Sequence, residues 1–399
     1  MKLTKSNGHE ARLVAMARNP FTPTFGVSPP LLVGRSELLE DFTAALEDGP
    51  GSPGRVTLYT GARGTGKTVM LNEVEDLARQ EGWRVISETA TPGFVSRLVS
   101  EHLPGLLREI DPEGTKSRLT GINVPMGLGG ASWKTDESHQ VVPALRTQTT
   151  AACDLLARTG SGLLLTLDEV HHHQVDELRE LASVLQHLVR EEQEIMFAGA
   201  GLSSAVSAVL NDDVLTFLRR ADRHSLGRVS LDEVSIAIQQ PIERTGRKIS
   251  DRLARRAAEA TSGYPFLVQL VGYHIWRQQP RHKLVSADDV DAGVIAARRR
   301  LGSLVHEPAI SDVSGVARTF LLAMAHDDGP SRMSDIAARL DVDGNYASQY
   351  RLRLIATELI EPVGHGRVDY TMPYLREYLR EHAALDAQRA LPRGDEADP

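Results

Sequence analysis

The stretch "RVTLYTGARGTGKTVMLNEVEDLARQ", residues 55–80, places a short apolar run, a glycine-rich loop and an amphipathic segment in direct succession. The loop "GARGTGKT", Gly61–Thr68, fits the pattern G-x-x-x-x-G-K-[ST] of a phosphate-binding loop. That pattern is specific when a strand precedes it and a helix follows it, as the periodicity predicts here. The stretch therefore predicts an α/β fold with a nucleotide phosphate site after its first strand.

The residue types of this loop suit phosphate binding. Glycines let backbone N–H groups turn inward around phosphate oxygens, and the following helix adds its positive dipole end. Lys67 is predicted to reach the β- and γ-phosphates, and the Thr68 hydroxyl to ligate Mg²⁺. ATP is favoured over GTP because the sequence contains no guanine-reading motif. The predicted cofactor-binding residues of the loop are Gly61, Ala62, Arg63, Gly64, Thr65, Gly66, Lys67, Thr68 and Val69.

A second apolar run, "LLLTLDEVHHH" (Leu163–His173), ends in two carboxylates. Asp168 is predicted to hold the Mg²⁺ together with Thr68, and Glu169 to orient and polarise the attacking water, so that Glu169 and Lys67 are the predicted catalytic residues. Alternatively, an Asp-Glu pair after a strand can begin a helix. The phosphate-binding loop upstream favours the first interpretation.

The histidines that follow are a weaker signal. "DEVH" resembles the second motif of superfamily-two helicases, but such a motor needs two tandem RecA-like domains, and no second α/β unit follows Leu226. Consecutive histidines on a helix point in different directions and do not easily share one metal ion. We therefore predict that His172 and His173 face solvent or lie behind the site, with only His171 placed to contact a nucleotide-dependent element.

The composition limits the class of protein. The chain has 399 residues, 41% of them hydrophobic and 25% charged, which predicts two or three domains with packed cores. No apolar run approaches the roughly 20 residues that cross a bilayer, and the N-terminus lacks a signal peptide, so we expect a cytoplasmic protein. Cys153 is the single cysteine, which excludes an internal disulfide framework. The net charge of −8 means that any surface for nucleic acid must be local.

Strand and helix patterns divide the chain into segments. The strands of the core are predicted at residues 55–60, 83–88, 163–167 and 194–200, and their apolar runs are typical of a mainly parallel sheet covered on both faces. A glycine-rich insertion at residues 120–135 is expected to be a loop or hairpin. The predicted segments are an N-terminal segment (1–30), a P-loop NTPase core (31–228), an all-helical lid (229–301), a linker (302–315), a winged helix-turn-helix (316–383) and a disordered tail (384–399).

The winged helix-turn-helix is predicted from a helix, a short helix, a third helix and a hairpin in that order. In this motif the third helix enters the major groove of DNA and the wing meets a phosphate. Across residues 331–380, however, seven arginines balance seven acidic residues, so a protein-docking role remains the alternative. The predicted DNA contacts are Asn345, Tyr346, Ser348, Gln349, Arg351 and Arg353 on the helix and Arg367 on the wing.

With these motifs the chain resembles AAA+ and STAND-type ATPases, particularly the branch near origin-recognition initiators, over approximately residues 19–382. "VGR" (Val33–Arg35) resembles the family segment near the adenine, which implies that Val33 and Arg35 bind the nucleotide. Gly263-Tyr264-Pro265 resembles the G-x-P element of the STAND branch, at a position where AAA+ proteins often carry a sensor arginine. The resemblance thus implies that Pro265 packs near the base.

The chain also departs from the family pattern. The fourth strand should end in a polar sensor, but it presents Gly199-Ala200-Gly201, and Ser203 or Ser204 is a poor substitute. This departure predicts slow ATP turnover. An arginine finger is expected in "LRRADR", where a finger supplied to a neighbour would imply nucleotide-dependent homo-oligomers and surface ion pairs are the alternative. The candidates are Arg219, Arg220 and Arg223.

Together these features predict an ATP-binding switch that couples its nucleotide state to a C-terminal winged helix bound to double-stranded DNA. The alternative is a signalling or defence regulator whose winged helix docks protein. A metabolic kinase using the same loop would lack an obvious acceptor pocket and would leave the winged helix unexplained.

Overall fold

The computed structural model describes residues 18–24, 26–112, 145–171, 174–210 and 217–390, with side chains up to residue 383. The predicted loop at 120–135, the predictions for His172 and His173, and most of the N-terminal segment and tail lie outside these residues. In the part of the chain so described, no helix is both long and apolar enough to span a bilayer.

A five-stranded parallel sheet forms the first unit, in the order β2-β3-β4-β1-β5. The central strands β3 and β4 are buried along almost their whole length, as expected for strands with helices on both faces. The predicted α/β fold with a mainly parallel sheet is confirmed. The strands are β1 (Val56–Thr60), β2 (Arg84–Thr89), β3 (Leu163–Asp168), β4 (Ile195–Gly201) and β5 (Asp222–Ser225).

Helices cover this sheet on both faces, and the alternation of the strands decides which face each side chain joins. On β1, Leu58 packs into the core beneath one layer of helices, while Tyr59 packs into the core beneath the other. The helices of this unit are α1 (Ser36–Glu47), α2 (Lys67–Gln80), α3 (Phe94–Arg97), α4 (Leu103–Ile110), α5 (Leu145–Ala157), α6 (Val175–Arg190) and α7 (Ser203–Leu210), with a π-helical turn at Leu98–His102 and 3₁₀ turns at Pro53–Arg55 and Leu218–Arg220.

The edge strand β5 was not predicted from the sequence. Its residues "DRHS" are polar, and Arg223 and Ser225 are exposed at the edge of the sheet. A strand with one neighbour and open flanks can have such a composition, because it does not need the apolar pattern of a central strand.

Four helices follow as the predicted lid: α8 (Leu231–Arg244), α9 (Asp251–Thr261), α10 (Pro265–Gln278) and α11 (Ala287–Leu301). Three of them begin at a serine whose hydroxyl accepts a backbone hydrogen bond, and Ser286 forms a full capping box with Asp289. Helices α10 and α11 pack closely: a Cβ added to Gly293 would lie 2.6 Å from the Ile275 side chain.

The stretch 302–315, predicted as a linker, is mostly helical instead. A π-helical turn (Gly302–His306) and α12 (Glu307–Ser311) continue directly from α11. Gly302 keeps helical dihedral angles, and Val305, His306 and Ile310 are buried. The helix continues because this stretch has an apolar face to bury, although its glycines and its proline are typical of a linker.

The C-terminal unit consists of helices and a three-stranded antiparallel sheet in the order β6-β8-β7. Its apolar residues, among them Phe320 and Val368, belong to the same buried cluster as Ile238 and Leu267 of the lid. The lid and this unit therefore share one core. The elements are α13 (Gly315–Met324), β6 (Ser331–Arg332), α14 (Met333–Leu340), α15 (Gly344–Ala356), β7 (Ile360–Pro362), β8 (Arg367–Tyr370) and α16 (Leu375–Ala390), so that residues 384–390 are helical where a disordered tail was predicted.

Candidate nucleotide site

The phosphate-binding loop joins β1 to α2 through a backbone that only glycine adopts readily. Gly64 and Gly66 have φ angles of +76° and +92°. A Cβ on Gly66 would meet no atom within 4 Å, so the space above the start of α2 is open. Open backbone N–H groups at a helix N-terminus are suited to bind an anion, and the sequence pattern predicts a phosphate site here.

Lys67 lies folded along this loop. Its Nζ donates hydrogen bonds to the carbonyl oxygens of Gly61, at 2.7 Å, and Ala62, at 2.9 Å. Burial lowers the pKa of the Lys67 ammonium, and the carboxylates of Glu358 and Asp168 oppose this effect. A half-satisfied ammonium beside the loop is suited to bind an anionic oxygen placed there.

Asp168 and Thr68 meet at the end of β3, as predicted. The Thr68 hydroxyl donates to Oδ2 of Asp168 at 2.6 Å, and the other carboxylate oxygen accepts the backbone N–H of Glu169 at 2.8 Å. A hydroxyl and a carboxylate beside a phosphate site are the hard oxygen donors that Mg²⁺ prefers, so these residues fit that ion.

Glu169 is exposed and lines the same cavity as the loop. Its backbone has a φ angle of +57°, which is unusual for a residue with a side chain. The neighbouring Val170 N–H bonds to the carbonyl oxygen of Ala200 at 2.7 Å and anchors the turn to β4. The turn thus presents the Glu169 carboxylate toward the open cavity.

This cavity, of about 340 Å³, lies between the loop, the N-terminal segment and the lid. Its size is within the range of small-molecule sites. Val33 and Pro265 line it, and Phe266 and Val268 add apolar surface from the lid. The sequence prediction missed the N-terminal residues that also line it, because nothing in their residue types indicates a site: Thr22, Thr24, Gly26 and Val27.

Arg35 also lines the cavity, but its guanidinium is already engaged. It donates to the carbonyl oxygens of Gly227 at 2.7 Å and Gly34 at 2.9 Å. Burial lowers its pKa, while Glu233 acts in the opposite direction. Arg35 therefore ties the start of the core to the loop after β5.

The lid holds the phosphate-binding loop by its backbone. The Tyr264 hydroxyl donates to the carbonyl oxygen of Arg63 at 2.7 Å, and the Phe266 N–H donates to that of Gly64 at 3.2 Å. Burial raises the pKa of Tyr264, so the hydroxyl keeps its proton. The lid element "GYP" therefore contacts the loop directly through Tyr264, while its Pro265 lines the cavity.

Ser203 and Ser204, which follow β4, contact the C-terminal unit. The backbone N–H of Ser203 donates to Oε1 of Glu358 at 2.5 Å, and the Ser204 hydroxyl donates to the carbonyl oxygen of Ala356 at 2.5 Å. Both contacts lie at the junction between α7 and the end of α15. Glu358 was not among the predicted site residues.

The finger candidates lie apart from this cavity. All three are exposed, and Arg219 donates from Nε to the carbonyl oxygen of Leu210 at 2.6 Å. Among the described residues no three His, Cys, Asp or Glu side chains are grouped to hold a metal ion. His171 is half-buried beside the Glu169 turn.

The predicted DNA contacts divide into exposed and half-buried residues. Arg351 is half-buried on the helix that meets α7. Arg367 is exposed on β8, directly opposite Arg332 on β6. The sequence prediction missed Arg332. Its position opposite Arg367 depends on the register of the two strands. The remaining predicted contacts are exposed: Asn345, Tyr346, Ser348, Gln349 and Arg353.

Comparison with known protein families matches two separate parts of the chain. Residues 31–197 match the family described as AAA ATPase domain, and residues 303–379 match a Domain of unknown function (DUF8462). The comparison with curated proteins gives no match. Residues 31–197 are therefore similar to an AAA ATPase domain.

Two solved structures share the fold over most of the chain. The Walker-type ATPase PABY2304 of Pyrococcus abyssi is 15% identical, with a TM-score of 0.59 over 88% of this chain and 96% of that one. The Aeropyrum pernix ORC2 protein, solved in ADPNP–ADP complexes, is 16% identical, with a TM-score of 0.56 over 92% and 98%. At these identities the likeness concerns the fold alone, which is that of P-loop NTPases.

Proposed function

We propose that this protein is an ATP-binding and slowly ATP-hydrolysing switch that couples its nucleotide state to a C-terminal winged helix bound to double-stranded DNA. One observation carries the coupling. The lid and the C-terminal unit share one core; the lid contacts the phosphate-binding loop through Tyr264, and the C-terminal unit contacts α7 through Glu358. A change at the loop therefore acts on the C-terminal unit.

The chemistry follows from the site. Backbone N–H groups of residues 64–68 bind the phosphates, and Lys67 leaves its two carbonyl partners to meet the terminal phosphate oxygens. Thr68 and Asp168 would hold Mg²⁺, which supplies charge compensation for the phosphates when bound. Glu169 orients a water molecule and accepts its proton as the water attacks.

Slow turnover is supported by the state of the sensor positions. Ser203 and Ser204 use their backbone N–H and hydroxyl groups, respectively, to bond the C-terminal unit. These contacts do not direct either serine toward a γ-phosphate. Exposed Arg220 and Arg223 would supply a finger to a second copy of the chain, which makes a nucleotide-dependent homo-oligomer part of the proposal.

DNA as the partner is supported by the charges of the C-terminal unit. Its helix–strand order agrees with a winged helix, and Arg332 and Arg367 stand side by side on its sheet. Like charges directly opposite on a sheet destabilise it unless an anion lies between them. Neither arginine has an ion-pair partner among the described residues, whereas other arginines of the unit are paired: Arg339 with Asp327, Arg376 with Asp369 and Arg380 with Asp328.

A protein partner is the second candidate. The N-terminal end of α15 carries the exposed carboxylates Asp341 and Asp343, which would repel phosphates. Leu352 on the same helix is 61% exposed. An exposed apolar side chain and exposed carboxylates in this region together fit a protein surface better than a DNA groove.

The test is a fluorescence-anisotropy titration of labelled random duplex DNA with the Glu169→Gln protein, which should retain ATP. Binding with Mg²⁺-ATP but not with ADP, weakening as salt rises, is the expected result. Lys67→Ala is the control. This variant should not bind ATP, and its binding to DNA should not depend on nucleotide. Binding to DNA in no nucleotide state, with nucleotide binding intact, would favour the protein partner.

A further inference from the structure

The contact between Thr68 and Asp168 has a second contact behind it, between the same helix and the same strand. The Thr166 hydroxyl on β3 donates to Oε1 of Glu75 on α2 at 2.5 Å. Thr68 and Glu75 are separated by about two helical turns, so they share one face of α2. Thr166 and Asp168 alternate with Leu167 on β3 and therefore point to the same side of the sheet. Helix α2 and strand β3 are thus joined at two levels.

The deeper contact lies in an otherwise apolar core. Glu75 is 7% exposed and Thr166 is 2% exposed. The buried cluster on this face of the sheet includes Val74, which precedes Glu75 on α2, and Leu164, which has the same orientation on β3 as Thr166. A carboxylate and a hydroxyl are unfavourable in such surroundings unless their polar atoms have partners.

Both oxygens of the Glu75 carboxylate have a partner. Oε1 accepts the Thr166 hydroxyl, and Oε2 accepts an N–H of Arg79 at 2.9 Å. Arg79 is half exposed and compensates the charge of the carboxylate from the surface end of the contact. Because an apolar pair of similar shape is often as stable as a buried polar pair or more stable, stability does not account for these residue types. A fully satisfied polar contact instead fixes the relative position of the elements that it joins.

The relative position of α2 and β3 decides the spacing of the predicted metal donors. Thr68 lies in the first turn of α2, and Asp168 ends β3. Because the two donors belong to different elements, any shift of α2 along β3 changes the distance between them. Mg²⁺ requires near-ideal octahedral geometry with oxygens at about 2.0–2.1 Å, whereas Ca²⁺ accepts variable geometry at about 2.3–2.6 Å. A contact that fixes α2 on β3 therefore favours Mg²⁺ over Ca²⁺.

We propose that Glu75 and Thr166 are positioning residues: their hydrogen bond holds α2 on β3 so that Thr68 and Asp168 keep the spacing that Mg²⁺ requires. Neither Glu75 nor Thr166, both within the described part of the chain, lines the nucleotide cavity, so they act through the two donors. This inference rests on the proposed nucleotide site and adds the contact that sets its preference among divalent cations.

The decisive variant is the double substitution Glu75→Leu with Thr166→Val, which removes the contact and leaves neither partner buried alone. Arg79 keeps Asp76, to which it donates at 2.9 Å. Calorimetry would measure the binding of a non-hydrolysable ATP analogue with Mg²⁺, with Ca²⁺ and with a chelator. We expect the gain in affinity from Mg²⁺ to fall about tenfold, as for other residues that support metal ligands, and the gain from Ca²⁺ to stay within about twofold. Binding with the chelator should not change.

Conservative variants and a matched control separate positioning from packing. Thr166→Ser keeps the hydroxyl, and in Glu75→Gln the amide oxygen still accepts it, so both should retain the wild-type gain from Mg²⁺. Thr57 is also a buried strand threonine, and its hydroxyl donates to the carbonyl oxygen of Gly54 at 2.9 Å, a bond that involves neither α2 nor β3. Thr57→Val therefore removes a comparable hydrogen bond and should leave the ratio of the Mg²⁺ and Ca²⁺ gains unchanged.

A double variant with the wild-type ratio of these gains would overturn the inference and leave the proposed ATP site intact. Equal losses with Mg²⁺, with Ca²⁺ and with the chelator would also overturn it, because the damage would then lie in the phosphate-binding loop. So would a double variant without a cooperative urea transition, since the pair would then serve stability. Failure of wild type to bind the ATP analogue under any of the three conditions would instead overturn the proposed function.

Discussion

The Tyr264 hydroxyl of the lid donates a hydrogen bond to the carbonyl oxygen of Arg63 in the phosphate-binding loop, at 2.7 Å. The contact is close on all sides. A Cβ added to Gly64 would lie 2.1 Å from the Tyr264 oxygen and 2.6 Å from Cζ. Gly64 is therefore required by the lid as well as by the bend of the loop.

Alanine substitutions should separate these two requirements. Gly64→Ala and Gly66→Ala both introduce strain at a positive φ angle, but only Gly64→Ala also collides with Tyr264. We expect Gly64→Ala to lower the free energy of unfolding by about 1–3 kcal/mol more than Gly66→Ala, as for other overpacked sites. Urea unfolding without nucleotide measures both.

The double-mutant comparison is the control. In a Tyr264→Ala background the difference between the two alanine variants should disappear, because the collision has been removed. A difference that persists there would locate the strain in the loop itself and not in its contact with the lid.

The Thr68–Asp168 pair should control the metal dependence of ATP binding. Thr68→Ala and Asp168→Asn each remove one of the oxygen donors that meet at 2.6 Å. We expect both variants to lose at least about tenfold of the Mg²⁺-dependent gain in ATP affinity, which is the loss of one interaction with a charged group. Calorimetric titration with Mg²⁺ and with a chelator checks this, since binding without Mg²⁺ should not weaken. Equal losses under both conditions would contradict the assignment.

The arginine pair on the C-terminal sheet should appear in the salt dependence of DNA binding. If Arg332 and Arg367 meet phosphates, each alanine variant should reduce the slope of log K against log salt by about 1. Arg299→Ala, at an exposed position on α11, is the matched loss of charge and should leave the slope unchanged. An unchanged slope in all three variants would favour the protein partner.

His306 should make stability depend on pH. Burial lowers its pKa to about 4, and its Nε2 lies 3.0 Å from the carbonyl oxygen of Pro373. An unfolded histidine has a pKa of about 6.5. Between these values only the unfolded chain binds the proton, so the stabilisation is complete above pH 6.5 and is lost as the pH falls toward 4, by at most about 1.4 kcal/mol per pH unit.

Substitution at this position isolates the effect. His306→Gln keeps a donor for the Pro373 carbonyl but does not titrate, so its unfolding free energy should fall less steeply between pH 6.5 and 4.5. His326→Gln removes an exposed histidine of the same unit and serves as the control. Identical slopes for wild type and His306→Gln would show that the buried ring is not the titrating group.

The positions of the phosphate-binding loop and of Asp168 could be predicted from sequence because these residues are adjacent to strands. Lys67 follows β1 and Asp168 ends β3, and the carboxyl ends of parallel strands lie along one edge of a sheet. Glu358 and Arg332 could not be predicted in this way. Their roles depend on how α15 meets α7 and on the register of two short strands, and no periodicity encodes either.

The sequence analysis missed two secondary-structure elements whose residue types do not match the packing around them. The edge strand β5 is polar because only one side of it is paired, and the helical stretch 302–311 contains a glycine and a proline typical of a loop. In both places, packing against neighbouring elements outweighs the local preference of the residues.

The single apolar core that runs through the lid and the C-terminal unit has a consequence for folding. Phe21, the lid helices and residues up to Leu379 belong to one buried cluster, separate from the two clusters on the faces of the sheet. Within the residues that the structure describes, apolar packing thus forms two cooperative folding units: the sheet with its helices, and the lid with the C-terminal unit. Cutting the chain at Gly302 would expose the core of the lid to water instead of releasing an independent domain. In the intact chain, the lid and the C-terminal unit should therefore unfold together.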